Sequence, residues 1–215
     1  GRMRFSPLVI WISLWLLLVY YPLAHMVWGG GLLAQMGALD FAGGNVVHIS
    51  SGVAGLVMAL MVGKRVDYER IAYRPHNVPF VMLGTAILSF GWIGFNAGSA
   101  LGANASAIHA LATTLVSAAA GLLSWLLIEK LVGSKPSLVG ASTGLVAGLV
   151  AITPGAGYVS VGAALIIGAL VSPLCYFAIS VLKKKWNYDD ALDAFGCHGV
   201  GGIFGGLMTA LFTDP

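Results

Sequence analysis

Long apolar runs alternate with short polar connections along almost the whole chain. Runs near 6–24, 44–63, 79–101, 106–129, 137–153, 160–182 and 192–212 predict seven membrane-spanning helices. A helix needs ~20 predominantly apolar residues to cross a bilayer, and the fifth run is short of that. Glycine lies inside the runs rather than between them, as expected where small residues let membrane helices approach closely. The pattern predicts an all-α polytopic membrane protein. No linker rich in proline, serine or charge divides it, so 1–215 reads as a single transmembrane domain.

Charge tests this assignment independently. Arg2 and Arg4 precede the first span. Lys64, Arg65, Arg70 and Arg74 follow the second, Lys130 and Lys135 the fourth, and Lys183, Lys184 and Lys185 the sixth. These are all 11 basic residues, and all fall on one side of a seven-span arrangement. The positive-inside rule makes that side cytoplasmic. The amino end is then inside and the carboxyl end outside, in a plasma or bacterial inner membrane. Composition agrees: 58% of residues are hydrophobic and 9% charged, against roughly 25% charged in a soluble domain. The net charge of +3 does not indicate nucleic acid, because the basic residues form no patch with aromatic neighbours. Cys175 and Cys197 lack metal or redox spacing and read as small packing residues. Asn104-Ala105-Ser106 matches a glycosylation sequon by chance, in a very short loop. No cleavable signal peptide is recognisable.

Two histidines sit inside apolar spans, where an ionisable group is expensive and marks function by default. Their surroundings repeat: His48-x3-Gly52-x2-Gly55-x2-Met58 matches His198-x3-Gly202-x2-Gly205-x2-Met208. The second and seventh spans run in opposite directions, so the copies form an inverted repeat. His48 follows Asp40 near the outer boundary, and His198 follows Asp193 near the inner one. Each histidine then lies roughly 8–12 Å in from its own side of the bilayer core. Both approach the midplane, where they can meet as a pair.

Ala38-Leu39-Asp40-Phe41-Ala42-Gly43-Gly44-Asn45-Val46-Val47-His48, Gly91-Trp92-Ile93-Gly94-Phe95-Asn96-Ala97-Gly98-Ser99-Ala100-Leu101 and Phe195-Gly196-Cys197-His198-Gly199-Val200-Gly201-Gly202 resemble the ammonium transporter family, the ammonium channels related to Rhesus proteins. The resemblance runs over nearly the whole chain. It implies a fold of eleven helices, of which this chain holds about the fourth to the tenth, so that Gly1 and Pro215 read as edges of a fragment. It also implies that ammonium or ammonia is the substrate. His48 and His198 resemble the twin histidines of the pore, with Trp92 beside them. Trp28 and Ser99 resemble the outer site that recruits ammonium, Phe95 one phenyl of the gate, and Asp40 the acidic residue that transport and local architecture require. A homotrimer is implied, as is a PII-type regulatory protein on the basic cytoplasmic face. No cofactor, metal or enzymatic activity is expected.

Elementary chemistry supports these roles. A tryptophan face attracts a desolvated cation, and a serine hydroxyl accepts from an ammonium N–H. A histidine exchanges protons near neutral pH, and two that share a proton titrate together. A neutral molecule crosses an apolar pore far more cheaply than an ion. Ammonium becomes neutral by losing a proton; sodium and potassium cannot. Taken singly, each residue has a plainer explanation: an interfacial aromatic for Trp28, packing for Phe95, a helix cap for Asp40, a bond within its own helix for Ser99. His25, His76 and His109 receive no role. A membrane sensor feeding a signalling domain is the second reading. An intramembrane metalloenzyme is a distant third, lacking a third ligand at suitable depth.

Overall fold

The computed structural model describes residues 2–68, 70 and 74–213. Among them seven helices carry the fold: α1 (Phe5–Gln35), α2 (Gly44–Val62), α3 (Val78–Gly98), α4 (Ala105–Leu131), α5 (Leu138–Ile152), α6 (Val161–Trp186) and α7 (Phe195–Phe212). Each predicted span is present, with ends displaced by a few residues. One displacement matters: the regular part of α1 runs on to Trp28, which closes the helix instead of lying in a loop. The chain then breaks at Gly29 to Gly31, with Gly30 at φ +74°, before a last turn at Leu32–Gln35.

Side-chain caps start the central helices. Asn77, Asn104, Ser137 and Ser160 each accept a backbone N–H three residues on, opening α3, α4, α5 and α6. Such caps satisfy amides that a helix start leaves without partners. Asn104 of the sequon is thus an N-cap, accepting from Ala107 N at 3.0 Å.

The best-packed part of the molecule is the group α4, α5 and α6. Its contacts are made by missing side chains. A Cβ on Gly121 would meet Gly144 O at 2.5 Å, and one on Gly168 would meet Ser117 Cα at 2.8 Å. The close backbones are stitched by hydroxyls: Ser117 donates to Gly148 O at 2.8 Å and Ser172 to Gly121 O at 2.6 Å. In lipid there is little hydrophobic drive between helices, so tight packing and hydrogen bonds of this kind hold them. Leu149, Val150, Ile152, Ile167 and Val171 fill the centre at 2% exposure or less. Cys175 and Cys197 are buried, Cys175 among these core residues.

Two clasps close opposite ends. At one, Phe41 N donates to Pro154 O at 2.9 Å, Phe41 meets Tyr158 edge-on at 5.4 Å, and Val159 pairs with Thr213 in an isolated β-bridge. At the other, Asp189 gathers the start of the chain and the segment after α2. Arg65 donates its N and Nε to Asp189 Oδ2, each at 2.8 Å, and its Nη2 to Oδ1 at 2.6 Å. Arg2 Nη2 donates to Asp189 O at 2.7 Å, and Arg2 Nη1 reaches Gly63 O. Asp189 is 1% exposed.

Burial alone would push the Asp189 carboxyl up, but the hydrogen bonds and charge of Arg65, with the charge of Arg2, outweigh it and hold the group below the usual carboxylate range. A depressed folded-state pKa gives stability that is present above the unfolded value and is lost as pH falls through the folded one. Asp189→Asn should therefore lower thermal stability at neutral pH by about 2–3 kcal/mol, the scale of a hydrogen bond to a charged group. The deficit should shrink as wild type is acidified below the ordinary carboxylate range. Melting curves in detergent at several pH values check this; a pH-independent deficit would assign the effect to packing.

Candidate functional site

α2 and α7 both open with a widened turn. Gly44–Ile49 and Phe195–Gly199 are π-helical, and each carries one of the two histidines. His48 N donates to Gly43 O, five residues back, at 3.0 Å. Single π-turns inside α-helices occur often at functional sites. A carboxylate sits at the head of each turn. Asp40 is 5% exposed and accepts four backbone amides: Gly43 N and Gly44 N at 2.8 and 2.6 Å on Oδ1, Asn45 N and Val46 N at 2.8 and 3.1 Å on Oδ2. Burial pushes its carboxyl above the ordinary value, and the four amides pull it back in part.

The counterpart of Asp40 is Asp190 rather than Asp193. Asp190 Oδ2 accepts Phe195 N, five residues on, at 2.9 Å, as Asp40 Oδ2 accepts Asn45 N. Asp190 also stands the same 150 positions from Asp40 as His198 does from His48. Asp193 instead pairs with Lys183 at 2.6 Å. Burial and the charge of Asp190 raise its carboxyl above the usual value against the pull of Lys183.

The glycine four residues after each histidine admits the other helix. A Cβ on Gly52 would strike the backbone of Gly199, its Cα at 2.5 Å, and that of His198 at 3.0 Å. A Cβ on Gly202 would stand 3.2 Å from His48 Cβ. As α2 advances from Asn45 through His48 and Gly52 to Gly55, its neighbours on α7 run back from Gly206 through Gly202 and Gly199 to Ala194. The repeat seen in the sequence is therefore an antiparallel crossing. It brings His48 Nδ1 to 3.2 Å from His198 Nδ1.

Trp92, 5% exposed, backs the pair. Its indole stacks on His48 at 5.0 Å and 18°, and on His198 at 6.4 Å and 22°. Phe95, a turn further on, meets His48 edge-on at 6.0 Å. His48, His198, Trp92 and Phe95 line one recess of about 490 Å³, with Val47 and Leu88 among its apolar walls. Trp28 lies apart from this recess. Its Nε1 donates to Asp40 O at 2.7 Å, which fixes the half-exposed ring beside Gly43. Ser99 donates to Phe95 O at 2.9 Å within its own helix. That commits the hydroxyl proton and leaves the oxygen as an acceptor. His109 contacts Val159 O at 2.8 Å, outside the recess.

One residue at the pair was not anticipated. Thr153, fully buried, accepts from Trp92 Nε1 at 3.1 Å and lies 3.3 Å from His48 Nε2. It stands at the end of α5, whose 15 residues span roughly 22 Å, short of the ~30 Å core. A short helix ends at depth, and the sequence showed the shortness without showing what met its end.

Fold and site define a polytopic membrane protein with paired imidazoles in an apolar recess where two inverted helices cross. The Ammonium Transporter Family model matches residues 1–215, and the chain belongs to that family. It is 55% identical over 215 residues to an ammonium transporter of Aquifex aeolicus, covering 100% of this chain and 50% of that protein. It is 54% identical over 211 residues to an ammonium transporter of Bacillus subtilis, covering 98% and 52% respectively. Among solved structures, Saccharomyces cerevisiae Mep2 superposes with a TM-score of 0.92 at 42% identity, covering 100% of this chain and 49% of that one. A sensor Amt protein superposes at 0.91 with 33% identity, covering 98% and 55%. The chain thus spans about half the length of the curated relatives it matches.

Gly52→Ala should force the crossing apart, since the new methyl meets backbone and not a movable side chain. Overpacking of this kind costs roughly 1–3 kcal/mol. The expected outcome is a lower melting temperature together with loss of the imidazole contact, followed by histidine NMR. Gly84→Ala, with nothing within 4 Å of its Cβ position, is the control and should be near neutral.

Proposed function

We propose that this chain carries the conducting centre of an ammonium channel. Ammonium is drawn to the Trp28 face and the acceptor oxygen of Ser99, loses its proton on passing Phe95, and crosses the recess of His48, His198 and Trp92 as ammonia. Proton exchange involves the histidine pair, and Asp40 holds the start of α2. The observation that carries the reading is the direct Nδ1–Nδ1 contact of two imidazoles inside membrane helices, backed by an indole face.

The chemistry follows from the surroundings. An ion entering an apolar recess loses hydration that nothing there replaces. A molecule that leaves its charge outside avoids that cost. The paired rings offer ring nitrogens to such a molecule but no fixed negative charge to a metal cation. Potassium, close to ammonium in size, then meets the full barrier.

The chain reads as one transmembrane domain with its basic connections, including Lys64 and Lys183 to Lys185, on the cytoplasmic side. The amino end is inside and the carboxyl end outside, in a plasma or bacterial inner membrane. The family resemblance supports a homotrimer, and the basic face suits a PII-type regulatory protein. A sensing role is the second reading, favoured by the likeness to the sensor Amt protein. The likeness to Mep2 is stronger in identity, at 42% against 33%.

Flux in reconstituted vesicles tests the channel reading. His48→Ala and His198→Ala should admit water and reduce discrimination against potassium. If both variants fold and match wild type for ammonium and potassium, the histidines only join helices and the mechanism is wrong. Trp28→Leu should raise the half-saturating ammonium concentration about fivefold, the effect of losing about 1 kcal/mol of cation–π attraction. An unchanged concentration dependence would reduce Trp28 to a structural aromatic.

A further inference from the structure

The two histidines are related by an inverted repeat, yet their hydrogen bonds differ. His48 Nε2 lies 3.3 Å from Thr153 Oγ1. Among the described residues, His198 Nε2 has no hydrogen-bond partner; the contact recorded for that ring is through Nδ1. Among the described residues, none stands to His198 as Thr153 stands to His48.

The direction of the Thr153 contact follows from counting protons. A threonine hydroxyl donates once and accepts twice. Thr153 N, at the end of α5, donates to Val150 O at 3.2 Å. A regular helix would have sent that N–H to Leu149 O. The Thr153 hydroxyl fills the vacancy, donating to Leu149 O at 2.7 Å. Leu149 and Thr153 are both buried from water, so a carbonyl left bare here would be costly. The hydroxyl proton is therefore committed. Trp92 Nε1 is a donor only and takes one lone pair at 3.1 Å. What remains for His48 is the second lone pair, which accepts and cannot donate.

From this geometry we infer that Thr153 is a positioning residue that fixes the proton arrangement of the histidine pair: His48 carries its hydrogen on Nε2, His198 carries its hydrogen on Nδ1, and His198 Nε2 is the bare acceptor. His48 gives Nε2–H to Thr153 and keeps a lone pair on Nδ1. The contact between the two Nδ1 atoms needs one hydrogen, and His198 supplies it. The outer imidazole is then bonded on both nitrogens, and the inner one offers the pair's free lone pair. The function of that lone pair rests on the ammonium reading: a substrate N–H donates to His198, not to His48. The hydrogen arrangement itself does not rest on it.

The test is ¹⁵N-histidine NMR on the purified protein, with His25, His76 and His109 assigned by single replacements with Gln. Wild type should show His48 as the Nε2–H form and His198 as the Nδ1–H form. Thr153→Val keeps the shape but removes the acceptor. The hydrogen on His48 should then move to Nδ1 and that on His198 to Nε2, while Thr153→Ser keeps the wild-type pattern. In vesicles, Thr153→Val should lower ammonium flux about tenfold, the scale of one lost hydrogen bond, and Thr153→Ser should restore it. Wild-type His48 in the Nδ1–H form would overturn the inference, and so would a folded Thr153→Val protein with both rings unchanged. If Thr153→Val does not fold, the wild-type spectrum decides alone. If the NMR pattern is as stated but wild type moves no ammonium, the channel reading fails and the role of Thr153 stands.

Discussion

Everything at the site depends on two backbones crossing at van der Waals distance. Gly52 lies against Gly199 and His198, and Gly202 against His48. With a methyl at either position the helices would separate, and imidazoles 3.2 Å apart would lose contact. The price of such a crossing is that neither helix has side chains there to fill space. The closeness must be held from outside, and the α4–α5–α6 group supplies the backing. A Cβ on Gly205 of α7 would meet Ala151 of α5, its Cα at 2.9 Å, so the same device extends from the core to the crossing helix.

A second constraint is the need to satisfy backbone amides away from water. The starts of α2 and α7 are bent into π-turns that aim the histidines, and such starts leave N–H groups without helical partners. In an apolar surrounding each would cost several kcal/mol. Asp40 answers with both carboxylate oxygens and four amides, Asp190 with one amide. Capping and function coincide in Asp40. The carboxylate that closes the turn sets the position of His48, and its carbonyl oxygen receives the Trp28 indole at 2.7 Å. Trp28 and His48 are thereby hung from one residue.

The sequence made the helices legible because lipid imposes a simple length and composition rule, and because all basic residues lie before the first span or in alternate connections. The histidine pairing was legible because an inverted repeat and equal depth are statements about position along the chain. The apolar run near 6–24 stops short of Trp28, since the helix ends at a glycine run that pattern alone places only approximately. Asp190 is legible by extending the repeat eight residues upstream of His198, past the nearer Asp193. The π-turns and Thr153 were not legible. A π-turn has no periodic signature over so few residues. Thr153 matters only because a short helix ends beside a side chain 105 positions away.

An inverted repeat builds two like halves, but a single hydrogen between two imidazoles belongs to one of them. The repeat supplies matching carboxylates, histidines and glycines, which fixes shape. It cannot by itself decide which imidazole carries a proton toward the other, because a symmetric pair holds one hydrogen between two equal acceptors. The decision must come from a group that touches one imidazole and not the other, and among the described residues the end of α5 supplies it. Its hydroxyl at Thr153 touches His48 and Trp92, and no equivalent bond to His198 Nε2 exists among the described residues. One threonine proton, drawn to Leu149 O by the helix end it closes, thus gives a nearly symmetric pair a direction. The same arrangement leaves no carboxylate in hydrogen-bond contact with either imidazole among the described residues. An acceptor lone pair without a fixed negative charge suits a neutral amine and gives a bare cation little reason to stay.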